Sequence, residues 1–305
     1  HEVGSNIKTF AREAKRVVID IDDAEQEKYK KMGFYVDYLY TADANDILKS
    51  IQKNKKIFKP IENKSWLIKL KYWKKRFVAC DDMSISQKEF VNPYFFIKQL
   101  SDQSKSKHII VTDCGSNLIW TMQAFEVKKG NRVISAWNHS PMGYSLPASI
   151  GAAFASPKKQ ILCISGDGGM QINIQELATI VKHNLNIKIF VVNNHCHGII
   201  QGTQQSWLNS RFNASDPDYG KLPDPNFNKI AKAYGMDSIE VHNNASLNKV
   251  LSKALSIDGP LLINVHMKQE SQIYPKLLFG KPIEDSHPLL ERDDFYKQMI
   301  VKPIS

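Results

Sequence analysis

The chain has 305 residues, enough for one large domain and part of another. Lys plus Arg number 41 and Asp plus Glu 31, so the basic excess is 41 − 31 = 10. No apolar run approaches the roughly 20 residues of a membrane helix, which excludes a spanning segment. Cys80, Cys114, Cys163 and Cys196 form no CxxC pair, which argues against a disulfide framework or a zinc ribbon and leaves a reducing cytoplasm as the default. Residue 1 is His and no secretory pattern opens the chain, so it reads as a processed or cut piece of something longer.

In chain order, Val17 to Ile21 is a β-branched run that ends in the acidic turn Asp22-Asp23. Asp43 is placed to cap a helix through about Lys53. Residues 56 to 90 are Lys-rich and aromatic and read as a linker with helical content. The densest basic cluster, Lys64 to Arg76, interleaves Trp66, Tyr72 and Trp73. It reads as a solvated amphipathic connector rather than a nucleic-acid face, although the positive excess can draw in anionic substrates.

A second unit begins near Asn92-Pro93. Tyr94 to Leu100 is a predicted helix, and His108 to Thr112 a strand that ends at Asp113-Cys-Gly-Ser-Asn117. Leu146 to Phe154 is a helix of small residues, and Ile161 to Ser165 a buried strand. Gln171 to His183 carries apolar residues near helical spacing, and Lys188 to Val192 is another buried strand. Asp224-Pro225 reads as a cap plus a proline at the first helical position, with the helix reaching Tyr234 and stopping at Gly235. Ser246 to about Ser256 is a helix and Leu261 to Val265 a strand. The proline-rich tail reads as loops that wrap or dock. Alternation of β and α predicts an α/β fold with a doubly wound, mostly parallel sheet.

The chemistry concentrates between Gly166 and Asn194. Gly-Asp-Gly at 166–168 is followed, 24 residues later, by Asn193-Asn194. Each polar group ends a predicted strand of one right-handed crossover, so Asp167 and Asn194 should face one crevice at the carboxyl edge of the sheet. A carboxylate, an amide oxygen and backbone carbonyls suit Mg²⁺, which commonly shares its shell with a phosphate. Gly168 and Gly169 let backbone amides approach an anion. The pattern therefore reads as a metal–diphosphate clamp, against the plainer alternative of a capped strand–turn–helix with a surface Asn pair.

This motif pair resembles the thiamine diphosphate signature. The segments Ser140 to Ala155 and Gln175 to Val181 resemble those of the acetolactate synthase and pyruvate oxidase group. The resemblance covers most of residues 1 to 290. It implies residues 1–58 as the C-terminal part of a central α/β domain, 59–91 as a linker, 92–270 as the thiamine diphosphate and Mg-binding domain, and 271–305 as a C-terminal tail.

The resemblance also assigns residues. Asp167 and Asn194 would ligate Mg²⁺, joined by the backbone carbonyl of Cys196. Gly115, Ser116 and Asn117 would reach a diphosphate oxygen, with Ser116-Asn117 standing where true acetolactate synthases carry Gln-His. The alternative for these three is an ordinary helix-capping turn. Met142 would wedge under the cofactor and hold it bent, so that its 4-amino group meets the thiazolium carbon. Met suits such an irregular gap. Ser140 would contribute backbone contacts, and Gly166, Gly168, Gly169, Gly198 and Ile199 would complete the cofactor site. His197 is a candidate site wall, His139 a weaker one, and His195 a surface or capped residue.

The implied reaction is decarboxylation of a 2-oxo acid, pyruvate above all, with carboligation to a second carbonyl. The alternatives are a non-ligating decarboxylase and a catalytically silent cofactor-binding subunit. The group's activating Glu comes from an N-terminal domain outside this chain, usually of the partner subunit in a homodimer or homotetramer. These 305 residues alone should therefore bind cofactor poorly and not turn over. FAD is left open as a second cofactor. No Trp stands near Thr203, where true acetolactate synthases carry one. The tail from Tyr274 to Leu289 resembles acetolactate-synthase-like proteins linked to surface-polysaccharide sugars, so the acceptor is pyruvate or a keto-sugar nucleotide.

Overall fold

The computed structural model describes residues 6–59 and 62–304. Expectations that fall on residues 1–5, on Pro60 and Ile61 in the linker and on Ser305 lie outside the described residues. The chain divides into two compact units, His1–Phe77 with Tyr274–Ser305, and Val78–Ile273.

In the first unit, β1 (Val17–Asp20) and β2 (Tyr38–Thr41) pair in parallel around the helix Asp23–Lys31. Asp43 caps the helix Ala44–Lys53, its carboxylate accepting from the Asn45 amide at 2.7 Å. The tail packs against this same unit. Arg12 reaches Glu284 at 2.6 Å, and Trp73 Nε1 donates to Gln298 Oε1 at 2.7 Å. The basic helix Lys64–Arg76 thus spends its Trp73 and Arg76 on the tail helix Arg292–Gln298, where Arg76 meets Asp294 at 2.7 Å.

The second unit is built on six parallel strands: β3 (Ile109–Thr112), β4 (Arg132–Ile134), β5 (Ile161–Gly166), β6 (Ile187–Asn193), β7 (Ser238–Val241) and β8 (Leu261–His266). Their order is β4-β3-β5-β6-β8-β7. Two buried apolar clusters cover the two faces. Ile110, Leu162, Ile164, Phe190 and Ile263 point into one, and Val111, Cys163, Ile189, Val191 and Leu262 into the other. That alternation makes the sheet doubly wound and explains why the central strands read as continuous apolar runs. The chain leaves β3 toward β4 on one side and returns to β5 on the other. The strand ends of β3 and β5 therefore flank a topological switch point, where open α/β sheets hold ligands.

Two predicted elements are corrected. The crossover after β5 is not one helix from Gln171 to His183. It is a helix Asp167–Ile172, a 3₁₀ turn Ile174–Glu176 and a helix Leu177–Lys182. The break falls at Asn173, whose side-chain amide donates to the Gly143 carbonyl at 2.8 Å. The helix expected from Asp224-Pro225 starts later, at Phe227, because Asn226 caps it by accepting from the Lys229 amide. Asp224 instead meets His195 Nδ1 at 2.8 Å.

Candidate functional site

A cavity of about 370 Å³ opens at the carboxyl ends of β3, β5 and β6. The loops after these strands bring together Gly115, Ser116, Asn117, Ser140, Met142, Gly166, Asp167, Gly168, Gly169, Asn194, Cys196, Gly198 and Ile199, and every one of them lines it. His197 lines it as well, whereas His195 and His139 do not. His195 turns away to Asp224, consistent with its Asn193–Cys196 turn carrying a positive φ of 58° at His195.

The pairing of β5 with β6 explains the meeting of Asp167 and Asn194. Gly166 stands opposite Val192, so the residues that follow leave the sheet side by side. Asp167 is 8% exposed and accepts from the Gly168 amide at 2.7 Å. Burial raises its carboxyl pKa to about 6, an effect partly offset by the Gly168 amide and by His195. Among the described residues no Lys or Arg forms an ion pair with it. Asn194 donates its Nδ2 to Cys196 Sγ at 3.0 Å, which leaves the carboxamide oxygen as the atom it offers. Burial pushes the Cys196 thiol up to about 12, and its sulfur is taken up by the Asn194 amide. The donors that remain are hard oxygens, a set that fits Mg²⁺ and not a thiophilic ion.

The anion side of the cavity comes from β3. Gly115 precedes the helix Ser116–Ala124, which has no side-chain cap, so its first amides are free to meet a ligand. A Cβ on Gly198 would lie 3.2 Å from Asn194 Nδ2 and 3.3 Å from Ser116 Oγ, which shows how closely the three loops converge. The Asn117 side chain is engaged within its own turn. Its Oδ1 accepts from Thr112 at 2.9 Å and its Nδ2 donates to the Cys114 carbonyl at 2.6 Å, so the carboxamide braces its own turn.

Met142 projects into the cavity and is 43% exposed. Its loop is held from two sides. Asp113, which sequence reasoning passed over, accepts from the Gly143 amide at 3.0 Å and the Ser145 amide at 2.8 Å. Asn173 holds the Gly143 carbonyl. Ser140 adopts φ 43°, a strained backbone beside the same loop. Opposite Met142, a Cβ on Gly168 would lie 2.4 Å from His197 Cε1 and 3.1 Å from Met142 Cε, so a side chain there would push the His197 ring or the Met142 tip aside. Burial lowers the His197 pKa and keeps the ring neutral. No signal in the sequence marked Asp113, because an acid after a strand is common. Its pairing with Gly143 bridges 30 residues.

A doubly wound α/β sheet whose switch-point cavity brings buried oxygen donors beside an uncapped helix start has the form of an anion-binding enzyme domain. Comparison with known proteins specifies the class. The family described as thiamine pyrophosphate enzyme, C-terminal TPP binding domain, matches residues 113–265. The chain belongs to that family. It is 31% identical over 282 residues to the acetolactate synthase large subunit of Cyanidium caldarium, covering 92% of this chain and 46% of the relative. It is 30% identical over 272 residues to the acetolactate synthase isozyme 1 large subunit of Escherichia coli, covering 87% and 45%. The chain thus spans about half the length of these curated relatives. Among the described residues, no helix is long and apolar enough to cross a membrane.

Proposed function

We propose that this chain supplies the cofactor-holding half of an acetolactate-synthase-like enzyme that decarboxylates a 2-oxo acid, pyruvate foremost, and ligates the product to a second carbonyl. One observation carries the reading. Asp167, Asn194, the helix amides after Gly115 and the Met142 side chain line a single cavity at the switch point of the sheet. Asp167, the Asn194 carboxamide and the Cys196 carbonyl would hold Mg²⁺, and Mg²⁺ with the Ser116 turn would hold the diphosphate. Met142 would set the bend of the cofactor against the Gly168 backbone.

Thiamine diphosphate supplies the electron sink for decarboxylation when bound. The protein's share would be to orient it and to exclude water with the apolar wall of Met142, Ile199 and Ile200, while His197 lines the same cavity. Among the described residues no glutamate lines the cavity. The activating carboxylate would come from another segment, across a homodimer or homotetramer interface. The exposed apolar side chains of Ile199 and Ile200 suit such a covering surface. Four free cysteines suit a reducing cytoplasm.

The acceptor is pyruvate or a keto-sugar nucleotide. Thr203 occupies the place where true acetolactate synthases carry a Trp, and it spends its hydroxyl on the Ile199 carbonyl at 3.2 Å. Product analysis with pyruvate, thiamine diphosphate and magnesium tests the whole reading, with each acceptor added in turn. Ligation to either supports it, free aldehyde as sole product replaces it with simple decarboxylation, and ligation to neither sinks the carboligase. Robust turnover by these 305 residues alone would refute the external glutamate. Flavin-band absorbance of the full protein decides whether FAD joins the cofactors.

A further inference from the structure

At the far edge of the sheet, β7 and β8 run side by side with Glu240 opposite Asn264 and Val241 opposite Val265. Side chains alternate along a strand, so Glu240 and His242 share one face with Asn264 and His266. Val241 and Val265 turn the other way into the core. The result is a compact set of donors. The rings of His242 and His266 stack with centroids 4.3 Å apart at 14°. Glu240 places Oε2 at 3.3 Å from His242 Nε2 and Oε1 at 3.8 Å from His266 Nε2.

We propose that Glu240, His242 and His266 bind one divalent transition-metal ion of the zinc class. One ligand atom from each residue lies within 4.8 Å of the others. A tetrahedral ion with ligands at about 2.0–2.2 Å needs neighbouring donors roughly 3.3–3.6 Å apart. Two of the separations already fall near that range, and the rings would turn out of their parallel stack to aim both lone pairs at one ion. Two imidazoles and a carboxylate select Zn²⁺, Co²⁺ or Ni²⁺ over Mg²⁺ and Ca²⁺, which prefer oxygen shells. The fourth position is left to water.

Two surrounding features support the assignment. Asn264 is 3% exposed, lies with Nδ2 at 3.2 Å from His266 Nε2, and keeps a buried Oδ1 with no donor among the described residues. A metal-bound water would supply that missing donor. On the other side the His195 ring stacks on His266 at 5.8 Å, held in place by Asp224. None of the three ligands lines the cavity that contains Asp167.

The test is titration of the chelator-treated full chain with Co²⁺ in excess Mg²⁺, which keeps the oxygen-ligated site occupied. The expected result is one Co²⁺ per chain with visible d–d absorption that Zn²⁺ bleaches. His242→Asn and Glu240→Gln should each weaken binding at least about tenfold, while His287→Asn leaves it unchanged. Both tested side chains are exposed, His242 at 61%, so the variants should keep their circular dichroism and melting profile. Absence of saturable binding, binding unaltered in both variants, or loss of binding only with Asp167→Asn would each overturn the proposal.

Discussion

The carboxylate of Asp113 and the amide of Gly143 are joined at 3.0 Å, although 30 residues separate them. This bond, with its partner from Ser145, ties the end of β3 to the loop that presents Met142. The Met142 loop is thus positioned by an acid that itself lines the cavity. The carboxylate accepts from three backbone amides, those of Cys114, Gly143 and Ser145, so Asp113→Asn would set an NH₂ group against at least one N–H donor. An unsatisfied buried donor costs about 1–3 kcal/mol. Urea unfolding should show a loss of that size, and thiamine diphosphate should bind more weakly, while magnesium affinity at Asp167 changes little.

Gly143 adopts φ +85°, and a Cβ there would lie 2.7 Å from Ile172 Cβ. Gly143→Ala should therefore destabilise by about 1–3 kcal/mol through backbone strain and the clash. The added Ile172→Ala should not restore stability, because the colliding atom is the Cβ that alanine keeps. A thermal melt of the single and double variants checks this.

Burial raises the Asp167 pKa to about 6 from an unperturbed 3.8. Between those values the folded chain binds the proton more tightly than the unfolded chain. Its contribution to stability is therefore fullest below about pH 4 and is lost as pH rises to about 6, a change on the order of 3 kcal/mol. A bound cation has the opposite preference, for the ionised carboxylate. The rise in melting temperature caused by magnesium should grow from pH 5 to pH 7, and Asp167→Asn should abolish both the proton-linked and the magnesium-linked effects. Differential scanning calorimetry across that range measures both.

The proposed metal site takes the Cys196 carbonyl and not its sulfur, which already accepts from Asn194 Nδ2. Cys196→Ser should keep magnesium-dependent cofactor binding within about threefold, under 1 kcal/mol. Asn194→Ala, which deletes the carboxamide oxygen, should weaken it at least about tenfold, or 1.4 kcal/mol. Parallel titrations of the two variants separate the side-chain ligand from the backbone one.

Much of the sheet was legible because β3, β5, β6 and β8 are buried on both faces and read as short β-branched runs. The polar residues at their ends were legible for the same reason, since a Gly-Asp-Gly or an Asn pair stands out after an apolar run. Short edge strands were missed. β4 has three residues, none fully buried, and β7 has four, of which only Val241 is buried, so neither shows a strong pattern. The break at Asn173 and the delayed helix start at Asn226 depend on partners distant in the chain or on competition between adjacent caps. Apolar spacing registers neither. Asp113 was overlooked for a related reason: its role exists only once Gly143 and Ser145 fold back onto β3.

Calorimetric titration of the chain with thiamine diphosphate, with and without magnesium and again with Asp167→Asn, bears most directly on the cation-anchored diphosphate. Uptake should be weak but strictly magnesium-dependent in the native chain and absent in the variant. Binding that ignores magnesium, or that survives Asp167→Asn unchanged, would contradict the assignment of this cavity.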